Sequence, residues 1–419
     1  MTDLQRSAEV LSVGTELLLG DILNTNAQFL AQELAQLGIP HYYQTVVGDN
    51  VLRIQKAVAI ACERSRLLIF TGGLGPTPDD LTTETLADFF GVPLVERPEV
   101  LEDIAQKYAR RGRQMTPSNR KQAFLPQDAM ILPNPTGSAP GMIWQPRSGL
   151  TILTFPGVPS EMKEMWRQTA VPYLISQGWG QGMIHSRILR FWGIAESALA
   201  EKVSPYLNME NPTVAPYAGN GEVRLRVSAK AATEAEAEAL IAPVEQELKA
   251  IAGTDYFGVD DDTLASVVGK QLKAKGHTLA VAESCTGGGL GHLITTVAGS
   301  STYFRGGVIS YDNLVKVSLL GVRSADLERY GAVSEVVACQ MALGVRQRLG
   351  ASWGISITGI AGPDGGTDEK PVGLVYIGIA NPQGQVECFQ YQFGSFRGRD
   401  FTRWLSACTA LDLLRRKLL

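Results

Sequence analysis

The sequence is poor in the residues that build disulfide frames and imidazole metal centres: 419 positions hold five cysteines and four histidines. The cysteines, at 62, 285, 339, 388 and 408, are odd in number and scattered, and they form no CxxC pair. That pattern excludes a disulfide framework and a thiolate zinc site, and it fits reduced, mostly buried thiols in a cytoplasmic protein. The histidines, at 41, 185, 277 and 292, show no HExxH or related spacing, so no histidine-based metal site is expected. No run approaches the ~18 consecutive apolar residues of a membrane span. The opening stretch MTDLQRSAEVLSVG lacks the basic-then-apolar pattern of a secretory signal. An excess of basic residues is missing too. The formal net charge is −4, whereas a nucleic-acid reader carries a basic footprint. Neither a nucleic-acid partner nor a membrane is expected.

What is present is ordinary globular material, 45% apolar and 19% charged, with enough chain for two to four domains. Residues 1–172 alternate strand patterns (EVLSVG, RLLIFTGG, LTILTFPG) with helical ones such as NTNAQFLAQELAQLG, which predicts a parallel sheet with helices on both faces. Residues 173–256 change character. SRILRFWGI and EVRLRVSAKA alternate in polarity like strands, and the rest reads as helix. This small α+β unit is similar to a KH-type fold, yet it lacks the GxxG loop that clamps RNA. With seven Lys/Arg against ten Asp/Glu over 173–256, it suits a spacer or dimerisation element better than a reader. After the linker-like YFGVDDD, residues 257–419 return to an α/β pattern. The expected fold class is therefore α/β: two α/β domains with mostly parallel sheets, joined by a small α+β domain of KH type.

In the first domain, LIFTGGLGPTPDDLTTETLADFFG places Gly72, Gly73 and Gly75 between a buried strand and a helix beginning near Leu81. Glycines let the backbone approach an anion, and free N–H groups at a helix start favour negative charge. Asp79, Asp80 and Glu84 crowd the same turn. Beside a phosphate they need a hard cation such as Mg²⁺ as a bridge; without one they are helix caps. Two loops, VGTELLLGDILNTN with Asn24 and NPTGSAPG with Ser138, join FPGVPSEM as candidates to gather at one sheet edge, where open parallel sheets bind ligands.

In the last domain, AESCTGGGLGHLITT sets Ser284, Cys285 and Thr286 before Gly287, Gly288 and Gly289, on a strand-to-helix turn. The loop has no P-loop lysine and no G-x-S-x-G elbow. It still suits nucleophilic catalysis: Ser284 stands at a helix start, and glycine N–H groups nearby offer an oxyanion hole. The serine needs a base. His292 falls inside the following helix. GGVISYDNLVKVSLLGV supplies Lys316, which can act as a base if desolvated. Spacing alone makes Lys316 a solvated surface lysine and Tyr311 the cap of a strand edge. Cys285 is the better intrinsic nucleophile and reads as a small packing residue behind the turn.

The motifs TGGLGPTPDD and FPGVPSEM resemble those of molybdopterin-binding-like domains, and most closely the N-terminal domain of the CinA family of competence- and damage-inducible proteins. ESCTGG, GGVISYDNLVK, ITGIAGPDGGTDEKPVG and FGSFRGRDFTR resemble the C-terminal CinA domain, that of the nicotinamide mononucleotide deamidases. The resemblance implies a bifunctional hydrolase of pyridine-nucleotide recycling. Its C-terminal domain would convert nicotinamide mononucleotide to nicotinate mononucleotide and ammonia without a cofactor. Ser284 would be the nucleophile, Lys316 its base, and Tyr311 the residue that orients them or the substrate. Thr286, Gly287, Gly288, Asn313, Thr358 and Gly359 would line the substrate site, and Arg397 or Arg399 would hold the phosphate, with Arg399 and Arg403 the better match in spacing. The N-terminal domain would hydrolyse ADP-ribose with a divalent cation held by Asp79, Asp80 and Glu84, with Glu16 and Asp21 as further candidates, although no Nudix box is present. A homodimer is implied as well. Two other readings stand beside this one: a first domain that only binds a phosphorylated ligand or a pterin, and an adaptor acting in competence or DNA repair.

Overall fold

The computed structural model describes residues 6–180 and 182–419. The chain splits into two compact units, one of residues 1–185 with 229–240 and one of residues 186–228 with 241–419. Among the described residues no helix is long and apolar enough to cross a membrane.

The first unit holds β1 (Ala8–Val13), β2 (His41–Val47), β3 (Leu67–Thr71), β4 (Leu94–Glu96), β5 (Phe124–Pro126), β6 (Met130–Leu132), β7 (Gly141–Arg147) and β8 (Leu150–Phe155). Six of them form one sheet in the order β2-β1-β3-β8-β7-β6, while β4 and β5 pair separately. The neighbours β2, β1, β3 and β8 run parallel, whereas β7 pairs antiparallel with β8 and with β6. The parallel sheet expected here thus ends in an antiparallel edge. The cause is chain length: two residues join β7 to β8, enough for a hairpin and far too few for a crossover helix.

The pleat explains why these strands read as continuous apolar runs. Val10, Ile69 and Leu153 face one core, with Leu30, Leu34 and Trp166. Their neighbours Leu11, Phe70 and Ile152 face the other, with Ile54, Val58 and Trp144. The helix Thr25–Gln36 opens where the Asn24 side chain accepts the N–H of Ala27 at 3.1 Å, and it buries Leu30 and Leu34, one turn apart. With β2 on one side of β1 and β3 on the other, the loops leaving β1 and β3 part at a crevice on the carboxyl edge.

The middle segment forms a four-stranded sheet, β10-β11-β9-β12, from β9 (Met183–Trp192), β10 (Thr213–Gly219), β11 (Glu222–Ala231) and β12 (Tyr256–Val259), with the helix Glu234–Ala252. The last segment repeats the α/β plan with β13 (Leu279–Glu283), β14 (Phe304–Ile309), β15 (Trp353–Gly359), β16 (Leu374–Ala380) and β17 (Val386–Gln392), in the order β14-β13-β15-β16-β17. The strands β14, β13 and β15 are parallel, and β16 and β17 are antiparallel additions. Leu279 and Val281 of β13 face a core shared with Leu411 and Leu414 of the final helix, Gly398–Lys417. Ala280 and Ala282 face the helix Glu335–Arg348 through Val337 and Met341. Again the first strand is flanked by the next two, the arrangement at whose carboxyl edge open α/β sheets bind ligands.

Candidate functional site

The crevice of the first unit is a cleft of about 450 Å³. Its lining includes Gly72, Gly73 and Gly75 after β3, Asn24 and Asn26 after β1, Ser138, and Gly157 after β8. Gly72 has φ 101°, and a β-carbon there would collide with the carbonyl of Val13, so only glycine lets the β1 and β3 loops approach this closely. Five carboxylates line the cleft, those of Glu16, Asp49, Asp79, Asp80 and Glu161, and its lining holds no lysine, arginine or histidine.

The candidate cation ligands separate. Asp80 accepts the N–H of Thr77 at 2.9 Å and also its hydroxyl. The nearby Thr77 hydroxyl, and its own backbone N–H, hold the Asp79 carboxyl below its ordinary value. Glu84 lies 3.5 Å from the Lys121 ammonium and lines a smaller neighbouring hollow. Asp21 is exposed and outside the cleft lining. Among the described residues, Asp79, Asp80 and Glu84 do not converge as a three-ligand group. The oxygen donors that line the cleft, those of Glu16, Asp79 and Asp80 among them, are of the kind a hard divalent cation takes.

Asn26 is a residue the sequence reading passed over. It is buried, and its Nδ2 donates to the Thr71 hydroxyl and to the Gly157 carbonyl, both at 2.8 Å. It thereby ties the three cleft loops together. Its Oδ1 is buried with no partner, which leaves an acceptor beside the cleft. The signal was the repeated asparagine of NTN, one member capping the helix and the other facing in.

In the second unit, β13 ends at Glu283 and the chain turns through Ser284 into the helix Gly289–Thr295. Gly287 and Gly288 take φ of 57° and 97°, a path that side chains resist. Glu283 is 1% exposed. Its carboxylate accepts the N–H groups of Gly288 (3.0 Å), Leu290 (3.0 Å) and Gly291 (2.8 Å). Gly287 donates to the Ser284 carbonyl and Gly289 to the Thr286 carbonyl, each at 3.1 Å. The glycine amides are therefore spent inside the loop, which corrects the expectation that they face a reacting oxygen. Ser284 gives its own N–H to Ile357 of β15 at 2.9 Å. The Thr286 hydroxyl is buried and has no partner.

Lys316 sits on the helix Asn313–Leu320, which Asp312 caps by accepting the N–H of Leu314 at 2.7 Å. It is 1% exposed rather than a surface lysine, because it shares the inward face with Leu320. Its Nζ donates to the carbonyls of Ser310 (2.7 Å) and Tyr311 (3.1 Å). Ser310 in turn gives its N–H to the Glu283 carbonyl at 2.8 Å, so the amine hangs from the strand end stitched to the residue before Ser284. Burial pushes the Lys316 pKa below its ordinary 10.5, against the pull of Asp312 and Cys285. A neutral amine has two N–H donors, here matched by two carbonyls, and keeps a lone pair for a proton. Burial also pushes the Cys285 thiol up to about 12, so it holds almost no thiolate near neutrality.

The remaining candidates divide. The exposed Tyr311 hydroxyl accepts from Arg399 at 3.0 Å, and Arg399 also donates to the Gly362 carbonyl at 2.8 Å. Arg397 instead lies over the rings of Phe396 and Phe401. Arg403 donates to the Thr286 carbonyl at 2.9 Å, and its Nε is buried without a partner. Thr358, buried at the end of β15, gives its hydroxyl to the Ala332 carbonyl at 2.9 Å. Gly359 packs where a β-carbon would meet the Leu374 carbonyl at 2.7 Å. Asn313 and His292 are exposed.

Comparison with known proteins bears on both units. Residues 9–176 match the family description "Probable molybdopterin binding domain", 186–258 match "Damage-inducible protein CinA KH domain", and 261–418 match "CinA C-terminal domain". A CinA-like protein of Nostoc sp. is 69% identical over 421 residues, covering 99% of either chain. The chain belongs to the CinA family. Another CinA-like protein, from Synechococcus elongatus, is 68% identical over 421 residues, covering 100% of this chain and 99% of its own. The solved competence/damage inducible protein CihA from Agrobacterium tumefaciens is 39% identical, covering 37% of this chain and 93% of its own, with a TM-score of 0.36. In this CinA-family chain one histidine lies beside carboxylates. His185 lies 3.7 Å from Glu234 and 3.9 Å from Glu238, with one ligand atom of each within 4.8 Å of the others. Both glutamates are exposed, and Glu234 lies in the first turn of a helix, where acids are favoured without any ion.

Proposed function

We propose that the C-terminal domain is an amidohydrolase acting on nicotinamide mononucleotide through Ser284 and Lys316. The observation that carries this reading is the burial of Lys316, whose Nζ donates to the carbonyls of Ser310 and Tyr311, the former stitched to the residue before Ser284. Neutral Lys316 takes the Ser284 proton as the hydroxyl oxygen bonds to the carboxamide carbon. The tetrahedral adduct collapses, its C–N bond breaks, and Lys316 returns the proton so that ammonia leaves. Water then adds to the acyl ester, its proton passing through Lys316 to Ser284, and nicotinate mononucleotide departs. Arg399, oriented by Tyr311 and Gly362, holds the phosphate. Thr286 and Thr358 line the substrate. The test is ammonia release from nicotinamide mononucleotide by the purified protein beside Ser284→Ala and Lys316→Ala. Both variants are expected to be inactive, and an active Lys316→Ala would overturn the dyad.

For the N-terminal domain the reading is hydrolysis of ADP-ribose to AMP and ribose 5-phosphate with a divalent cation. Five carboxylates and no basic side chain in the cleft lining would repel a pyrophosphate, so an oxygen-bound cation is the natural bridge. Glu16, Asp79 and Asp80 would hold it. It would screen the pyrophosphate and lower the pKa of water. Gly72 and Gly73 let the backbone come close to the substrate, and Asn26 holds the three cleft loops around it.

A further inference from the structure

Glu283 ends a strand, is 1% exposed, and has no lysine or arginine in ion-pair range among the described residues. Carboxylates are almost never buried so completely without a partner. Here the partners are three main-chain N–H groups at 2.8 to 3.0 Å, those of Gly288, Leu290 and Gly291. Charge-assisted bonds of this kind are the strong ones, and they match the sign of a helix start.

The consequence lies in which amides remain. From Ser284 to Gly291, every N–H has an oxygen acceptor except those of Cys285 and Thr286. When a serine attacks from a strand-to-helix turn, the N–H of the next residue is a usual donor to the oxyanion. Without Glu283 the three later amides would be orphaned, and the loop would relax toward any acceptor that entered. We infer that Glu283 is a positioning residue, whose buried carboxylate locks the glycine turn so that the Cys285 and Thr286 amides, and not the glycine amides, receive the oxyanion formed on Ser284's substrate. This inference rests on the amidohydrolase reading above. Glu283 itself touches no reacting atom.

The experiment has three arms on the full-length protein. Amide hydrogen exchange of the wild type is expected to show Gly288, Leu290 and Gly291 protected well beyond Cys285 and Thr286. Glu283→Gln keeps the shape but turns an NH₂ group toward at least one of three donors. Its kcat for ammonia release is expected to fall about tenfold or more with KM within about threefold, the pattern of a lost transition-state interaction. Glu283→Asp, which retains the charge, is expected to recover part of that kcat. The third arm is the rate of Ser284 labelling by a fluorophosphonate, which needs no nucleotide and should drop in Glu283→Gln. An unchanged kcat in a folded Glu283→Gln, or unprotected Gly288, Leu290 and Gly291 in the wild type, overturns the inference. If the wild type releases no ammonia, the amidohydrolase reading fails on its own. The inference is then judged by labelling, where equal rates in wild type and Glu283→Gln overturn it.

Discussion

Arg399 reaches back across 88 positions of chain to give the Tyr311 hydroxyl a 3.0 Å hydrogen bond. The contact joins the turn after β14 to the start of the final helix. Its other arm binds Gly362 in the loop after β15. Together with the bond from Arg403 to Thr286, it makes the final helix a lid frame for the three strand ends that carry Ser284, Tyr311 and Thr358. The arginine is fixed before any ligand arrives, so it loses little side-chain freedom when it binds one.

Arg399 and Arg397 are therefore predicted to differ. Removing a charged hydrogen bond costs about 1.5–3 kcal/mol, so Arg399→Ala should raise KM for nicotinamide mononucleotide by about tenfold to a hundredfold. Arg397→Ala, which loses only ring contacts, should stay within about threefold of wild type, since exposed cation–π pairs are worth about 0.5–1 kcal/mol. Steady-state kinetics on the two variants decide it. The reverse order would move the phosphate to Arg397.

Ser284 and Cys285 offer a second contrast. A thiol whose pKa is pushed up to about 12 carries a negligible thiolate fraction at pH 7.5. Cys285→Ala is expected to keep at least about a tenth of the wild-type kcat, the loss coming from a small cavity behind the turn. Ser284→Ala should abolish turnover. An inactive but folded Cys285→Ala would transfer the nucleophile's role to the thiol.

The pH profile should report Lys316. Burial places its folded pKa below the ordinary 10.5, and only the neutral amine accepts the Ser284 proton. Activity must therefore rise with pH through that lowered value and level off before 10.5 is reached. Between the two values the unfolded chain binds the proton and the folded chain does not. Stability should accordingly also climb with pH across this window, and Lys316→Met should flatten that climb. A kcat/KM profile with no acid limb would contradict the role of Lys316 as base.

Much of this was legible beforehand, and the exceptions have physical causes. The strands β1, β3, β8 and β13 announce themselves as short apolar runs because both of their faces are covered. β17, an edge strand with Glu387, Gln390 and Gln392 among its seven residues, carries half the apolar signal and passed unread. Ser284 and Lys316 were singled out, but the burial of Lys316 depends on which helix face turns inward. Only its position four residues before Leu320 hinted at that. Glu283 was the least visible. A glutamate at a strand end reads as the point where the chain meets solvent, and nothing local shows that a helix start will close over it.

The acidic cleft gives a cation-dependence prediction. With ADP-ribose, AMP release should require a divalent cation, stop with excess chelator and return on adding Mg²⁺. Asp80→Asn should abolish it, and Glu84→Gln, whose carboxylate faces Lys121 at 3.5 Å, should keep most of it. Chromatographic quantitation of AMP checks each arm. Release that survives the chelator would defeat the cation's part.

The final helix supplies a stability test independent of either reaction. Arg415 is 2% exposed and Asp412 5%. Arg415 donates to Asp412 at 2.8 and 2.6 Å and to the Tyr256 carbonyl at 3.0 Å, while Arg416 binds the other Asp412 oxygen at 2.7 Å. Removing one partner of a buried pair strands the other charge, at a cost of about 3–5 kcal/mol. Asp412→Ala should therefore lower the urea midpoint sharply. The double variant Asp412→Ala with Arg415→Met removes the stranded charge and fills its volume, so it should regain part of the loss. If the double variant is as unstable as the single one, the stranded Arg415 charge is not the source of the loss, and the pair is not what holds this helix.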